Sequence, residues 1–287
     1  MVIFKDIPVS TQTFTVKTNM FFTVDLEHLF NKMNLDEFII SIKYKTQIKG
    51  EFKKKKTKKK TNSKKNFLNC ITVVVLFDKK INVKVFKNGV FQLTGCKNLH
   101  HAKQSIYYIL QHISKCVNDS FVVEGDDSGD SGCLSDVICY FKSAMRNIDF
   151  ELGYKINREI LAQQLDLNTN INIPPIICTN MGVKIKLPIN LKTLPVYKMY
   201  FKDYPSHTEI EYIDCFDYLF GKKILDEDRD QKMNKFVSVS IFQNGKVTFS
   251  CADMIYQEQY FNWFMDIMKN IKPLIIKKDV EKKSFYT

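Results

Sequence analysis

The chain has 287 residues, 45% of them hydrophobic and 13% aromatic, which supports one large domain or two moderate ones and excludes a disordered chain. A formal charge of +12 points to a polyanionic partner, unless a single Lys-rich loop supplies the excess. Eight cysteines without a C-x-x-C pair, no His near Cys133 or Cys139, no secretory h-region and no apolar run near the roughly 20 residues of a membrane span exclude a disulfide framework, a zinc site and a transmembrane helix. Reduced thiols in an intracellular, reducing compartment are expected, in a soluble protein with no membrane partner.

In chain order, "TQTFTVKTNMFFTVDLEHLFNKM" predicts a strand around Phe14 and Val16. A helix follows, with Asp25 near its start and Leu26, Leu29, Phe30 and Met33 on one face. "FIISIKYK" predicts another strand, and residues 49–66, "KGEFKKKKTKKKTNSKKN", interrupt the pattern as a Lys-rich insertion. In "INVKVFKNG", Ile81, Val83 and Val85 share one face while Asn82, Lys84 and Phe86 share the other. After the Asn-Gly turn, Phe91 and Leu93 face inward and Gln92 and Thr94 outward, a strong hairpin signal. A helix then carries Leu99, Ala102, Ile106, Ile109, Leu110 and Ile113 at helical spacing, with His100 and His101 at its start as expected surface residues.

"NDSFVVEGDDSGDSG" is acidic and rich in Gly and Ser; it reads as a mobile linker over residues 119–136, and this explains Asp126, Asp127 and Asp130 without a metal. "RNIDFELGYKINREILAQQL" predicts a strand with Leu152, Tyr154 and Ile156, then a helix capped by Asn157 with Ile160, Leu161 and Leu165 inward. "VKIKLPI" is a further strand, followed by a longer insertion at about 190–235. "VSVSIFQNG" sets Val237, Val239 and Ile241 inward, opposite Ser238, Ser240 and Phe242. Beyond this second Asn-Gly, Val247 and Phe249 oppose Thr248 and Ser250, and a last helix carries Ile255, Phe261, Phe264, Met265, Met268 and Ile271, with Trp263 as core.

The same order of strand, helix, several strands and long helix occurs twice, and each hairpin has a phenylalanine two residues before its Asn-Gly. This predicts an α+β fold in which helices cover one sheet face, with repeats at 1–118 and 137–287.

"VFKNGVFQLTGCK" and "IFQNGKVTF", each followed by a helix, resemble the F-x-[SN]-G-K-x-x-x-T-G-A-K signature that TATA-box-binding proteins carry once in each of two repeats. They are most similar to the divergent versions encoded by nucleocytoplasmic large DNA viruses. The order of elements agrees from about Gln12 to Ile275. The resemblance implies a saddle: two pseudo-repeats forming one curved antiparallel sheet, a DNA minor groove against its concave face, helices on the convex face, and wedge phenylalanines that kink the duplex by roughly 80°. The wedges before the turns correspond to Phe86 and Phe242. The other wedge of the first repeat corresponds to Phe38, although alternation groups Phe38 with Ile40 and Ile42, toward the helices; Ile177 and Met181 remain alternatives in the second.

For the groove floor the resemblance implies Gln92 and Thr94 in the first repeat, Thr248 and Ser250 in the second. The family has a valine before each hydroxyl. Amide and hydroxyl groups can accept a guanine amino group, so strict TATA preference is not implied. The family's central asparagines have Thr13 in the first region and Met145 or Asn147 in the second; Gly95 is retained, while its counterpart is Cys251.

Phosphate contacts are expected from Lys84 and from Lys53, Lys54, Lys55 and Lys56 of the insertion, which reads equally as a solvated loop or a localisation signal. There is no Walker loop, G-x-S-x-G, H-E-x-x-H or kinase signature, so neither an enzyme, a cofactor nor a small-molecule substrate is expected. The implied partners are double-stranded DNA, with an AT-rich promoter first, a basal transcription factor of the IIB type, and RNA polymerase. The implied location is the host cytoplasm or the virion for a viral protein, the nucleus for a cellular one. Two alternatives are a protein-interaction scaffold of the same fold and a DNA-processing enzyme, the latter opposed by the lack of a catalytic segment.

Overall fold

Strands that alternate apolar and polar side chains bury one face only, and the helices between them supply the cover. The computed structural model describes residues 2–19, 22–50, 69–116, 121–123, 137–168, 177–178, 182–189, 193–206, 209–214 and 235–277. In chain order the strands and helices are β1 (Val9–Thr18), β2 (Phe22–Val24), α1 (Leu26–Lys32), β3 (Ile39–Tyr44), β4 (Gln47–Gly50), β5 (Cys70–Leu76), β6 (Lys80–Phe86), β7 (Phe91–Cys96) and α2 (Leu99–Ser114). After these come β8 (Phe121–Val123), β9 (Ile138–Glu151), α3 (Arg158–Asn168), β10 (Ile177–Cys178), β11 (Gly182–Ile189), β12 (Thr193–Tyr200), β13 (Glu209–Asp214), β14 (Lys235–Phe242), β15 (Lys246–Cys251) and α4 (Met254–Ile275). The fold is α+β with antiparallel pairing, as expected.

The chain forms two compact units. The first-hairpin unit comprises Thr11–Ala144 and Thr193–Cys215; the second-hairpin unit comprises Met1–Ser10, Met145–Lys192 and Phe216–Thr287. These are not the 1–118 and 137–287 of the sequence copies. The division falls inside the long strands β1 and β9. Residues 193–215, part of the second copy's insertion, build β12 and β13 onto the first-hairpin unit, where β12 pairs with β9 from Val196↔Lys142 to Tyr200↔Ile138. The linker also holds structure: β8 pairs with β2, Phe22 opposite Val123.

In the first-hairpin unit the ladder Ile42–Val73–Val83–Leu93–Phe14 crosses five strands, and each of these side chains is at most 1% exposed. Burial of one such side chain contributes about 1.5–3 kcal/mol. α1 and α2 cover this face with Leu29, Phe30, Met33, Ile106, Ile109 and Leu110. Asp25 caps α1 by accepting from the amides of Glu27 and His28, and Asn98 caps α2 by accepting from His101 N. The far end of α1 is closed by Lys49, whose Nζ donates to the carbonyls of Phe30, Asn31 and Met33 at 2.6, 3.0 and 2.9 Å. The first lysine of the expected insertion is therefore a helix cap. His101 is buried, not a surface residue: its Nε2 lies 3.2 Å from Asp78 and its Nδ1 accepts from Lys97 N.

In the second-hairpin unit the corresponding ladder is Ile185–Val239–Phe249–Ile148. α3 contributes Leu161 and Leu165, and α4 contributes Phe261, Phe264, Met268 and Ile271. Asn157 caps α3 as expected, accepting from Glu159 N and Ile160 N. Three expectations are corrected. The strand expected at Leu152 to Ile156 ends at Glu151, because Leu152 N and Ile156 N bond to the carbonyls of Gly245 and Gln243 around the hairpin turn. Ile255 is 67% exposed, and the buried stripe of α4 begins at Gln257, whose amide donates to the carbonyls of Arg146 and Phe249. Trp263 is only half-buried, edge-on to Tyr260.

Candidate nucleic-acid interface

Each hairpin closes on Asn-Gly with the glycine at positive φ, 73° for Gly89 and 86° for Gly245, a conformation that side chains resist. Gly89 N donates to Phe86 O and Gly245 N to Phe242 O, at 3.0 and 2.9 Å, so the two phenylalanines hold the same position in the two turns. Both rings are half-buried on the face where, among the described residues, no helix packs. Opposite Phe86 in the neighbouring strand stands Cys70, and opposite Phe242 stands Gly182. A Cβ at Gly182 would lie 2.1 Å from Ile241 O, so only glycine fits there.

Register then defines what lies beside each wedge. In the first-hairpin unit one ladder reads Lys43–Thr72–Lys84–Gln92–Thr15, and the next includes Asn82 opposite Thr94. Lys17 continues the face along β1, and burial lowers its ammonium pKa. The face offers three lysines, hydroxyls and amides. In the second-hairpin unit the equivalent ladder is Lys184–Ser240–Thr248–Asp149, and the next is Lys186–Ser238–Ser250–Asn147. Here Thr248 Oγ1 donates to Asp149 Oδ1 at 2.6 Å, and Lys246 lies 3.6 Å from Glu151. Asn147 Oδ1 is buried with no hydrogen-bond partner. Among the described residues no three His, Cys, Asp or Glu side chains group as metal ligands.

The expected floor residues Gln92, Thr94, Thr248 and Ser250, with Lys84, thus stand on the helix-free faces of their units. Phe38 does not. Its ring packs 4.9 Å from Tyr108 of α2 and 5.5 Å from Phe77, on the helix-covered side, because a register shift between Ile39 and Ser41 and the bonds from Phe38 N and Ile39 N to Asp36 Oδ1 turn the start of β3 that way. The sequence alternation grouped Phe38 on that side, but it does not hold through the strand, where Ile39 and Ile42 are both buried and Ile40 only half-buried. Lys53, Lys54, Lys55, Lys56 and Met181 lie outside the described residues, as does the side chain of Ile177. Sequence reasoning missed Thr15, Lys43, Thr72, Lys184 and Asp149. Alternation in "NIDFE" announces Asp149, but only once the strand is placed at 147–151.

No family model matches the chain. Over 241 residues it is 24% identical to a protein of Invertebrate iridescent virus 6 described as uncharacterized protein 335L, a match spanning 77% of this chain and 66% of that one. Over 181 residues it is 31% identical to a TATA-box-binding protein-like protein of Acanthamoeba polyphaga mimivirus, spanning 56% of this chain and 45% of that one. The chain thus spans between about half and two thirds of the length of these curated relatives. A solved structure, Methanococcus jannaschii TBP, aligns with a TM-score of 0.43 at 12% identity, over 92% of this chain and 98% of that one. The resemblance carried by the two hairpins is matched by a viral relative of the same description.

Proposed function

We propose that this protein is a TATA-box-binding-protein-like transcription initiation factor that binds duplex DNA in the minor groove and bends it. The observation that carries the reading is the equivalence of Phe86 and Phe242, each half-buried at the end of a strand, on a helix-free face lined by hydroxyls, amides and lysines. An aromatic wedge that enters between base steps costs a few kcal/mol of unstacking, which wider contact with the bent duplex offsets. Lysines on the same face add salt-dependent affinity. A basal factor of the IIB type and RNA polymerase are the proposed protein partners. A reducing compartment is the proposed location, since Cys70, Cys96, Cys116, Cys139 and Cys251 are thiols, not disulfides.

A second reading, a scaffold that has lost groove binding, is favoured by the carboxylates Asp149 and Glu151 on the second-hairpin unit's face. Fluorescence transfer across an end-labelled AT-rich duplex separates the two. The wild-type chain should bend the duplex, and Phe86→Ala with Phe242→Ala should abolish the bend while circular dichroism stays unchanged. A bend that survives the double substitution sinks the wedge reading, and no binding at all by the wild type leaves the scaffold.

A further inference from the structure

In the second-hairpin unit, we infer that Asp149, held by Thr248, selects a G·C pair through the guanine 2-amino group; the inference rests on the minor-groove reading above. The minor groove displays acceptors at every base pair, adenine N3 and thymine O2 among them, and a single donor, the amino group of guanine. A carboxylate accepts only. Placed against an A·T pair, Asp149 would set acceptor against acceptor; against G·C it meets the one donor available.

Two observations place this chemistry. Asp149 is exposed on the helix-free face, because Ile148 and Phe150 on either side of it point into the core. Its register partner Thr248 spends its hydroxyl proton on Asp149 Oδ1 at 2.6 Å, so this oxygen too faces outward as an acceptor and the carboxylate is held in one orientation. At Asp149 and Thr248 the described surface presents acceptors to whatever lies on it, beside the donors of Ser240 and Lys184 in the same ladder. The equivalent pair in the first-hairpin unit is Gln92 opposite Thr15, which retains donors for adenine N3 and thymine O2. Asp149 is thus a specificity residue and Thr248 a positioning residue.

The test uses the full chain. A preferred duplex is selected from a random library, each guanine is replaced in turn by inosine, which lacks the 2-amino group, and each adenine by 2,6-diaminopurine, which gains one. One G·C pair should lose about tenfold in affinity on inosine substitution, and a diaminopurine·T pair at that position should restore it. Asp149→Ala should erase the discrimination while the salt dependence of binding stays in place. Thr248→Val should weaken discrimination without removing it, and Asp149→Asn, which regains a donor, should tolerate A·T. A wild-type chain that binds and bends its selected duplex but ignores inosine at every position overturns the inference and leaves the proposed function standing. A chain that binds no duplex overturns both.

Discussion

The two hairpin units carry the same wedge on unlike floors. Beside Phe86 the ladder holds Lys43, Thr72, Lys84, Gln92 and Thr15; beside Phe242 it holds Lys184, Ser240, Thr248 and Asp149. Each ladder is backed by an apolar row on the opposite face of its own unit, so the fold constrains only alternate residues. The intervening positions are free to diverge, and they have diverged in charge. The helices are also anchored differently: α2 holds the loop before β3, with Tyr108 Oη donating to Asp36 and His112 Nε2 2.9 Å from it, whereas α4 is held to β9 and β15 by Gln257, which donates to the carbonyls of Arg146 and Phe249 and accepts from the Arg146 guanidinium.

The sharpest way to break the comparison is at the residue opposite each wedge. Gly182→Val puts a Cβ where Ile241 O stands at 2.1 Å, and should cost about 1–3 kcal/mol or more by denaturant unfolding, with bending lost. Cys70→Ala at the matching position should cost only about 1 kcal/mol and leave bending in place; equal effects would show that the two wedges are not seated alike. A smaller effect separates the floors. Lys43→Ala with Lys84→Ala should lower the slope of log affinity against log salt by about 2, while Lys246→Ala, on a face that also carries Asp149 and Glu151, should change it by less than about 0.5. Identical slopes for both sets would remove the electrostatic distinction.

The smallest effect concerns acid. Burial raises the Asp36 carboxyl pKa, but hydrogen bonds from Ile39 N, Tyr108 Oη and Phe38 N, with His112 nearby, outweigh it and hold the pKa below the ordinary value. A depressed carboxyl stabilises the fold above the ordinary carboxylate range, and the contribution fades as pH falls through the folded value. Asp36→Asn should therefore lower the urea midpoint modestly at neutral pH and match the wild type in strong acid. A difference that persists in acid would mean the role of Asp36 is packing, not charge.

Much of this was legible beforehand. Alternation in "INVKVFKNG" and "VSVSIFQNG" placed Ile81, Val83, Val85, Val237, Val239 and Ile241 inward, and the caps Asp25 and Asn157 were readable from local chemistry. Three features were not. Lys49 looked like the first charge of a solvated run because its partners, the α1 carbonyls, lie 16 to 19 residues away. Gln257 gave no signal, since the two carbonyls it satisfies belong to strands distant in sequence. Asp149 was hidden by a strand placed a few residues too late.

The residues alone determined the two hairpins, their inward and outward sides and the helices that follow, because alternation, positive-φ turns and 3.6-residue periodicity act over a few neighbours. Which strands pair, where one unit's core ends and the next begins, and that Thr248 meets Asp149 across 99 positions were decided only in three dimensions. Register depends on packing between distant segments, and no local pattern encodes it.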